Sequence, residues 1–226
     1  MKNTLLLIVF ALLITNASAQ SFSRNQVYDS LKLTSEALNT PNRVTLFDYD
    51  EDGDEDIFYY SGLNDTRILV YHNDNGSFDS SFVFFNNSNG NSQIEDMTLI
   101  DYDADGDFDI IAFLASYPNG DILKFENLGN GNFNLSTQTN LISKVSDYIA
   151  SADLDNDSLP DLVYTTGNPN QIRWVKNLGA GNFATTYDTI ANNNGYFELA
   201  DMNNDGYIDL IVESGTDDIY LNDGNG

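Results

Sequence analysis

Carboxylates at alternate positions, ending on a further aspartate four residues on, recur through this 226-residue chain. They stand at Asp48, Asp50, Asp52 and Asp56, at Asp101, Asp103, Asp105 and Asp109, and at Asp153, Asp155, Asp157 and Asp161; a fourth set is Asp201, Asn203, Asp205 and Asp209. Two carboxylates 4 Å apart repel by roughly 4 kcal/mol at an effective dielectric near 20, so several converging on one nine-residue turn need a neutralising partner. A hard cation supplies it. Calcium takes about six to eight oxygen ligands, and glycine at the sixth position (Gly53, Gly106, Gly206) permits the positive φ of a tight turn. The chemistry these residues can do is therefore cation binding through oxygen, with up to four structural Ca2+ ions expected.

The turns occupy residues 48–56, 101–109, 153–161 and 201–209, so the chain repeats with a period of about fifty residues. An EF-hand would need a bidentate Glu at position twelve and a helix on each side. Position twelve is instead Tyr59, Ala112, Tyr164 and Val212. The flanks, such as Thr98-Leu99-Ile100 and Ile110-Ile-Ala-Phe-Leu114, are short and rich in β-branched and aromatic residues, which predicts strands. The second repeat parses into strands at 96–100, 110–115, 122–126 and 133–141, the third at 149–152, 162–166, 172–176 and 183–190. Turns such as Tyr117-Pro-Asn-Gly120 and Gly167-Asn-Pro-Asn170 join them. Four antiparallel strands repeated at this period predict an all-β propeller of four-stranded blades, about four of them here. Runs such as Leu162-Val-Tyr164 suit strands covered on both faces, and polar Asn134-Leu-Ser-Thr-Gln-Thr139 suits a blade's outer edge. Trp174 is expected to pack between blades.

A second signature follows each acidic turn: Asn127-Leu-Gly-Asn-Gly-Asn-Phe133 and Asn177-Leu-Gly-Ala-Gly-Asn-Phe183, with looser copies at Asn73-Asp-Asn-Gly-Ser-Phe78 and Asn222-Asp-Gly-Asn-Gly226. The pair of motifs resembles the FG-GAP or VCBS-type repeat of integrin-like calcium-binding β-propellers, over nearly all of the chain after residue 20. The resemblance implies that side chains one, three, five and nine hold the ion, with the position-seven carbonyls of Asp54, Asp107, Leu159 and Tyr207 contributing. It also implies that residues 20–226 belong to a larger ring, of the seven blades common in that family; the alternative is four blades closing on themselves, with a strand near Phe22 completing the last. Asn203 lowers the charge of the fourth site, and Ser158-Leu-Pro160 replaces Gly-x-x in the third.

Residues 1–19 combine Lys2, an apolar run from Leu5 to Ile14 and a small-residue end at Ala17-Ser-Ala19, the pattern of a secretory signal peptide cleaved near Gln20. The apolar run is too short to span a bilayer. The expected location is secreted or cell-surface, with no transmembrane segment. A formal charge of −26 makes nucleic acid an unsuitable partner. There are no cysteines, so disulfides are replaced, on this reading, by calcium. With one histidine, His72, read as a surface or packing residue, and no GxSxG elbow, the usual catalytic pairs are missing. Glu95, Asp96 and Glu198 are the carboxylates outside the turns that an enzyme reading would use. The reading preferred is a non-catalytic module presenting rim loops to an extracellular protein or glycan; the alternative is an extracellular enzyme, or its accessory domain, acting on polysaccharide or phosphate esters. Oligomeric state is not legible.

Overall fold

The structure, a computed structural model, describes residues 43–60, 67–79, 82–86, 93–115, 120–142, 145–213, 215 and 217–224. The signal peptide expected over 1–19, the strand expected near Phe22 and the turn expected at Tyr117-Pro-Asn lie outside the described residues. Every regular element among the described residues is a strand. Blade one contains β1 (Arg43–Phe47), β2 (Asp56–Tyr60) and β3 (Arg67–Tyr71), a small hairpin of β4 (Asn73–Asp74) and β5 (Ser77–Phe78), and β6 (Phe82–Asn86). Blade two is β7 (Gln93–Ile100), β8 (Asp109–Ala115), β9 (Gly120–Asn127) and β10 (Phe133–Ile142). Blade three is β11 (Val145–Ala152), β12 (Asp161–Gly167), β13 (Asn170–Val175) and β14 (Asp188–Ala191). Blade four is β15 (Tyr196–Ala200), β16 (Asp209–Glu213) and β17 (Asp217–Tyr220). Each is an antiparallel meander in chain order, and the four are arranged as a β-propeller.

Period-two alternation explains why the second strand of a blade is apolar throughout. Ile110, Ala112 and Leu114 of β8 join the core shared with blade one, while Ile111 and Phe113 join the core shared with blade three. Leu162, Tyr164 and Val163 of β12 divide in the same way between blades two and four. Trp174 packs in this last core beside Phe197 and Leu210 of blade four, as expected of a blade-packing aromatic. In blade three the fourth strand starts at Asp188 and not at Phe183. Phe183 makes only an isolated bridge to Asn177, because its ring turns inward against Tyr102 of the preceding blade.

Two devices join successive blades. The second glycine of the Asn-Leu-Gly-x-Gly signature lies against an aromatic ring of the preceding blade's acidic turn: a Cβ on Gly131 would stand 3.0 Å from Tyr49, and one on Gly181 would stand 3.1 Å from Tyr102, both at φ +74°. The inner strands carry the second device. Buried Asp96 of β7 accepts hydrogen bonds from the Tyr60 hydroxyl of blade one and from the Ile149 amide of blade three at 2.9 Å. One carboxylate thus ties three blades, which assigns it a packing role.

Candidate metal centres

All four acidic turns share one hydrogen-bond plan. The first aspartate accepts the amides of the fifth and sixth residues. Asp101 does so from Asp105 at 3.2 Å and Gly106 at 3.1 Å, and Asp153 from Asp157 at 3.1 Å and Ser158 at 2.8 Å. The fifth accepts the amide of the seventh: Asp105 from Asp107 and Asp157 from Leu159, both at 3.0 Å. Positive φ falls at position six, on Gly53 (98°), Gly106 (103°), Gly206 (93°) and Ser158 (71°). Ser158 therefore keeps the turn that its side chain disfavours. Position four is left-handed as well, on Glu51, Ala104, Asn156 and Asn204, a conformation that asparagine favours and that Glu51 and Ala104 do not announce.

The ninth aspartate is fully buried in every turn, at Asp56, Asp109, Asp161 and Asp209. It straps the turn to the second signature: Asp109 accepts from Tyr102 at 3.1 Å and from Asn127 at 2.8 Å, and Asp161 from Leu154 at 3.2 Å and Asn177 at 2.7 Å. The asparagine then closes back on the loop, Asn177 Nδ2 donating to the Pro160 carbonyl and to the Tyr102 carbonyl of the preceding blade. This is why the two motifs travel together along the chain.

The geometry brings three predicted ligand sets together. One oxygen each from Asp48, Asp50 and Asp56, from Asp101, Asp103 and Asp109, and from Asp153, Asp155 and Asp161 lies within 4.8 Å of its two companions. Oδ1 of the third-position residue in each of these turns (Asp50, Asp103, Asp155) is buried and has no hydrogen-bond partner. A buried, unpaired carboxylate oxygen is costly, and a cation at that point removes the cost. The residues therefore fit a hard divalent ion. Burial and then the neighbouring Asp105 raise the Asp103 carboxyl above its ordinary value; burial pushes Asp109 and Asp161 up to about 7 against the opposing amide hydrogen bonds. In the fourth turn Asn203 Oδ1 accepts the Asp205 amide at 2.9 Å, and no three carboxylates converge so closely there among the described residues.

A further position reaches these turns from the end of the third strand, immediately before the signature asparagine. It is His72 in the first repeat, Glu126 in the second, Lys176 in the third and Leu221 in the fourth. His72 Nε2 stands 3.1 Å from Asp50 and 3.6 Å from Asp52, so the histidine read as a surface or packing residue sits at an acidic turn; burial opposes its protonation, but Asp50, Asp56 and Asp52 together raise its pKa. The Lys176 ammonium is bonded to Asp155 and lies 2.9 Å from Asp157. β13 ends at Val175, so Lys176 lies just beyond the strand expected over 172–176.

Blades that share one oxygen-lined turn, each strapped to an asparagine–glycine signature, define a repeat β-propeller with cation-type loops. The chain belongs to the FG-GAP-like repeat family, which matches residues 48–112, 101–164 and 153–212. Among curated proteins none matches it. Among solved structures, the chain is similar to an Agrocybe aegerita lectin described as specifically recognising non-reducing terminal N-acetylglucosamine. The TM-score is 0.56 at 18% identity, over 82% of this chain and 50% of the lectin. The chain thus spans about half the length of that structure. At this identity the likeness concerns the fold.

Proposed function

We propose that this chain is a secreted or cell-surface binding module, its blades stabilised by calcium and its rim offered to an extracellular glycan or protein. The carrying observation is the convergence of Asp48, Asp50 and Asp56 and of Asp101, Asp103 and Asp109 around unpaired third-position oxygens. When bound there, calcium would supply charge compensation, with Asp52, Asp105, Asp201, Asn203, Asp205 and Asp209 as the remaining ligands of their loops. The ion's role is structural, since the same carboxylates hold the turn's own amides and the strap to the next strand.

The binding reading is supported by the lectin likeness and by an axial cavity of about 540 Å³, which all four innermost strands line. Tyr148 and Tyr196 meet edge to face there at 5.1 Å, and Glu198 stands beside them. Aromatic faces with a carboxylate suit the CH faces and hydroxyls of a sugar. The enzyme alternative weakens because Asp96 is engaged by three donors and Glu198 accepts from the Tyr196 hydroxyl. The test is a thermal melt in EGTA and in millimolar calcium, followed by a glycan array that includes terminal N-acetylglucosamine. Melting indifferent to chelation removes the calcium reading; a calcium-loaded, folded protein that captures no glycan removes the sugar reading.

A further inference from the structure

The four turns share one backbone and differ in what reaches them from the third strand. In the second repeat that residue is Glu126, a sixth acid beside the five aspartates of that loop, whose negative charge adds to the field at Asp103. In the third it is Lys176, already bonded to Asp155 and Asp157. Lysine brings one positive charge, three donors and no acceptor, so it neutralises carboxylates but cannot ligate a metal while charged. A divalent ion entering between Asp153, Asp155 and Asp161 would meet that charge at close range, and the side chain would have to leave for solvent. The same repeat is the one that lacks glycine at position six, where Ser158 holds the turn at φ 71°. Two departures from the pattern thus fall on one loop, and the loop keeps the shared hydrogen-bond plan.

We propose that Lys176 is the resident cation of the third loop, standing on Asp155 and Asp157 in place of a divalent ion, so that this blade keeps its acidic turn without calcium. The inference rests on the cation reading of the other loops, but the melt in EGTA does not. In EGTA, Lys176→Gln leaves the third turn unneutralised and lowers the melting temperature by about 2 to 4 °C, whereas Glu126→Gln, which removes an acid from the emptied second turn, does not lower it. In millimolar calcium, native mass spectrometry of the folded full-length chain counts the ions. Asp153→Asn leaves the wild-type number unchanged, Asp101→Asn lowers it by one, and Lys176→Gln raises it by one as the freed cage fills.

A Lys176→Gln protein that melts like wild type in EGTA overturns the proposal, and so does an Asp153→Asn protein that binds one ion fewer than wild type. Should Lys176→Gln fail to fold, the Asp153→Asn count decides. If wild type and Asp101→Asn both bind no calcium, the calcium reading fails alone, and the melt in EGTA still judges Lys176.

Discussion

Loops two and three share one hydrogen-bond plan and differ in the sign of the charge that the third strand brings to them. Both begin with an aspartate that accepts the fifth and sixth amides, and both end in a buried aspartate strapped to an asparagine of the next strand. Loop two adds Glu126 to its acids, while loop three adds Lys176. The backbone plan is therefore separable from the counter-ion. A blade needs the turn and its strap; what neutralises the turn can come from solution or from the chain itself. On that proposal, the repeats of this chain keep one geometry and differ in what neutralises it.

The largest effect is expected where the two loops are alike. Asp109→Ala and Asp161→Ala each strand two amides that the fully buried carboxylate satisfies, and each should cost about 2 to 5 kcal/mol by urea unfolding. The two variants should lose similar stability in EGTA, and only Asp109→Ala should also lose calcium dependence. A variant that melts like the parent would mean that position nine is not a strap.

Chelation should separate the loops. At a tenfold excess over its dissociation constant, calcium stabilises by about 1.4 kcal/mol per site, so EGTA removes roughly that amount for each loaded loop. Hydrogen exchange should quicken at the amides of residues 101–109 and change little at 153–161. Equal deprotection of both segments would mean that the two loops do not differ in metal dependence.

A pH profile of the calcium-free protein tests the same burial from another side. Asp109 and Asp161 are pushed up to about 7, whereas an unfolded aspartate titrates near about 3.9. A carboxyl with a raised folded value favours the protonated folded chain, so the stability it contributes at pH 4 is lost as pH rises towards and through 7. In EGTA the melting temperature should fall over that window. Saturating calcium compensates the Asp109 charge and should flatten the decline, leaving the share that belongs to Asp161. A calcium-free melting temperature that climbs steadily from pH 4 to 7 would contradict the burial of both groups.

Much of this was legible in the sequence because it is written in local spacing. Alternate aspartates, the glycine at position six and the Asn-Leu-Gly-x-Gly signature each constrain a few consecutive residues, and they led to the strands, the blades and three of the converging ligand sets. The strand borders of blade three slipped where Phe183 turned inward onto Tyr102, a contact between residues far apart in the chain. The left-handed position four stayed hidden since Asn156 and Asn204 are of a type that favours it but Glu51 and Ala104 are not. Lys176, placed in a strand over 172–176, and His72, taken as a surface or packing residue, meet loops about twenty residues earlier, across a hairpin whose register spacing alone does not specify. Asp96, left open as an enzyme candidate, became a tie between blades once Tyr60 and Ile149 were seen to reach it.

The smallest effect isolates the backbone from the counter-ion. Gly106 at φ 103° and Ser158 at φ 71° hold the same position of the two loops, and a Cβ built on Gly106 meets nothing within 4 Å. The cost of a side chain there is thus conformational, about 1 kcal/mol for a left-handed residue other than glycine. Gly106→Ser should lose about that much and Ser158→Gly should recover up to about as much, less the extra freedom glycine gives the unfolded chain. Both shifts should be of similar size in EGTA and in calcium, because neither residue is a side-chain ligand. A Ser158→Gly protein that gained a calcium ion would mean that turn strain, and not the Lys176 ammonium, sets the third loop apart.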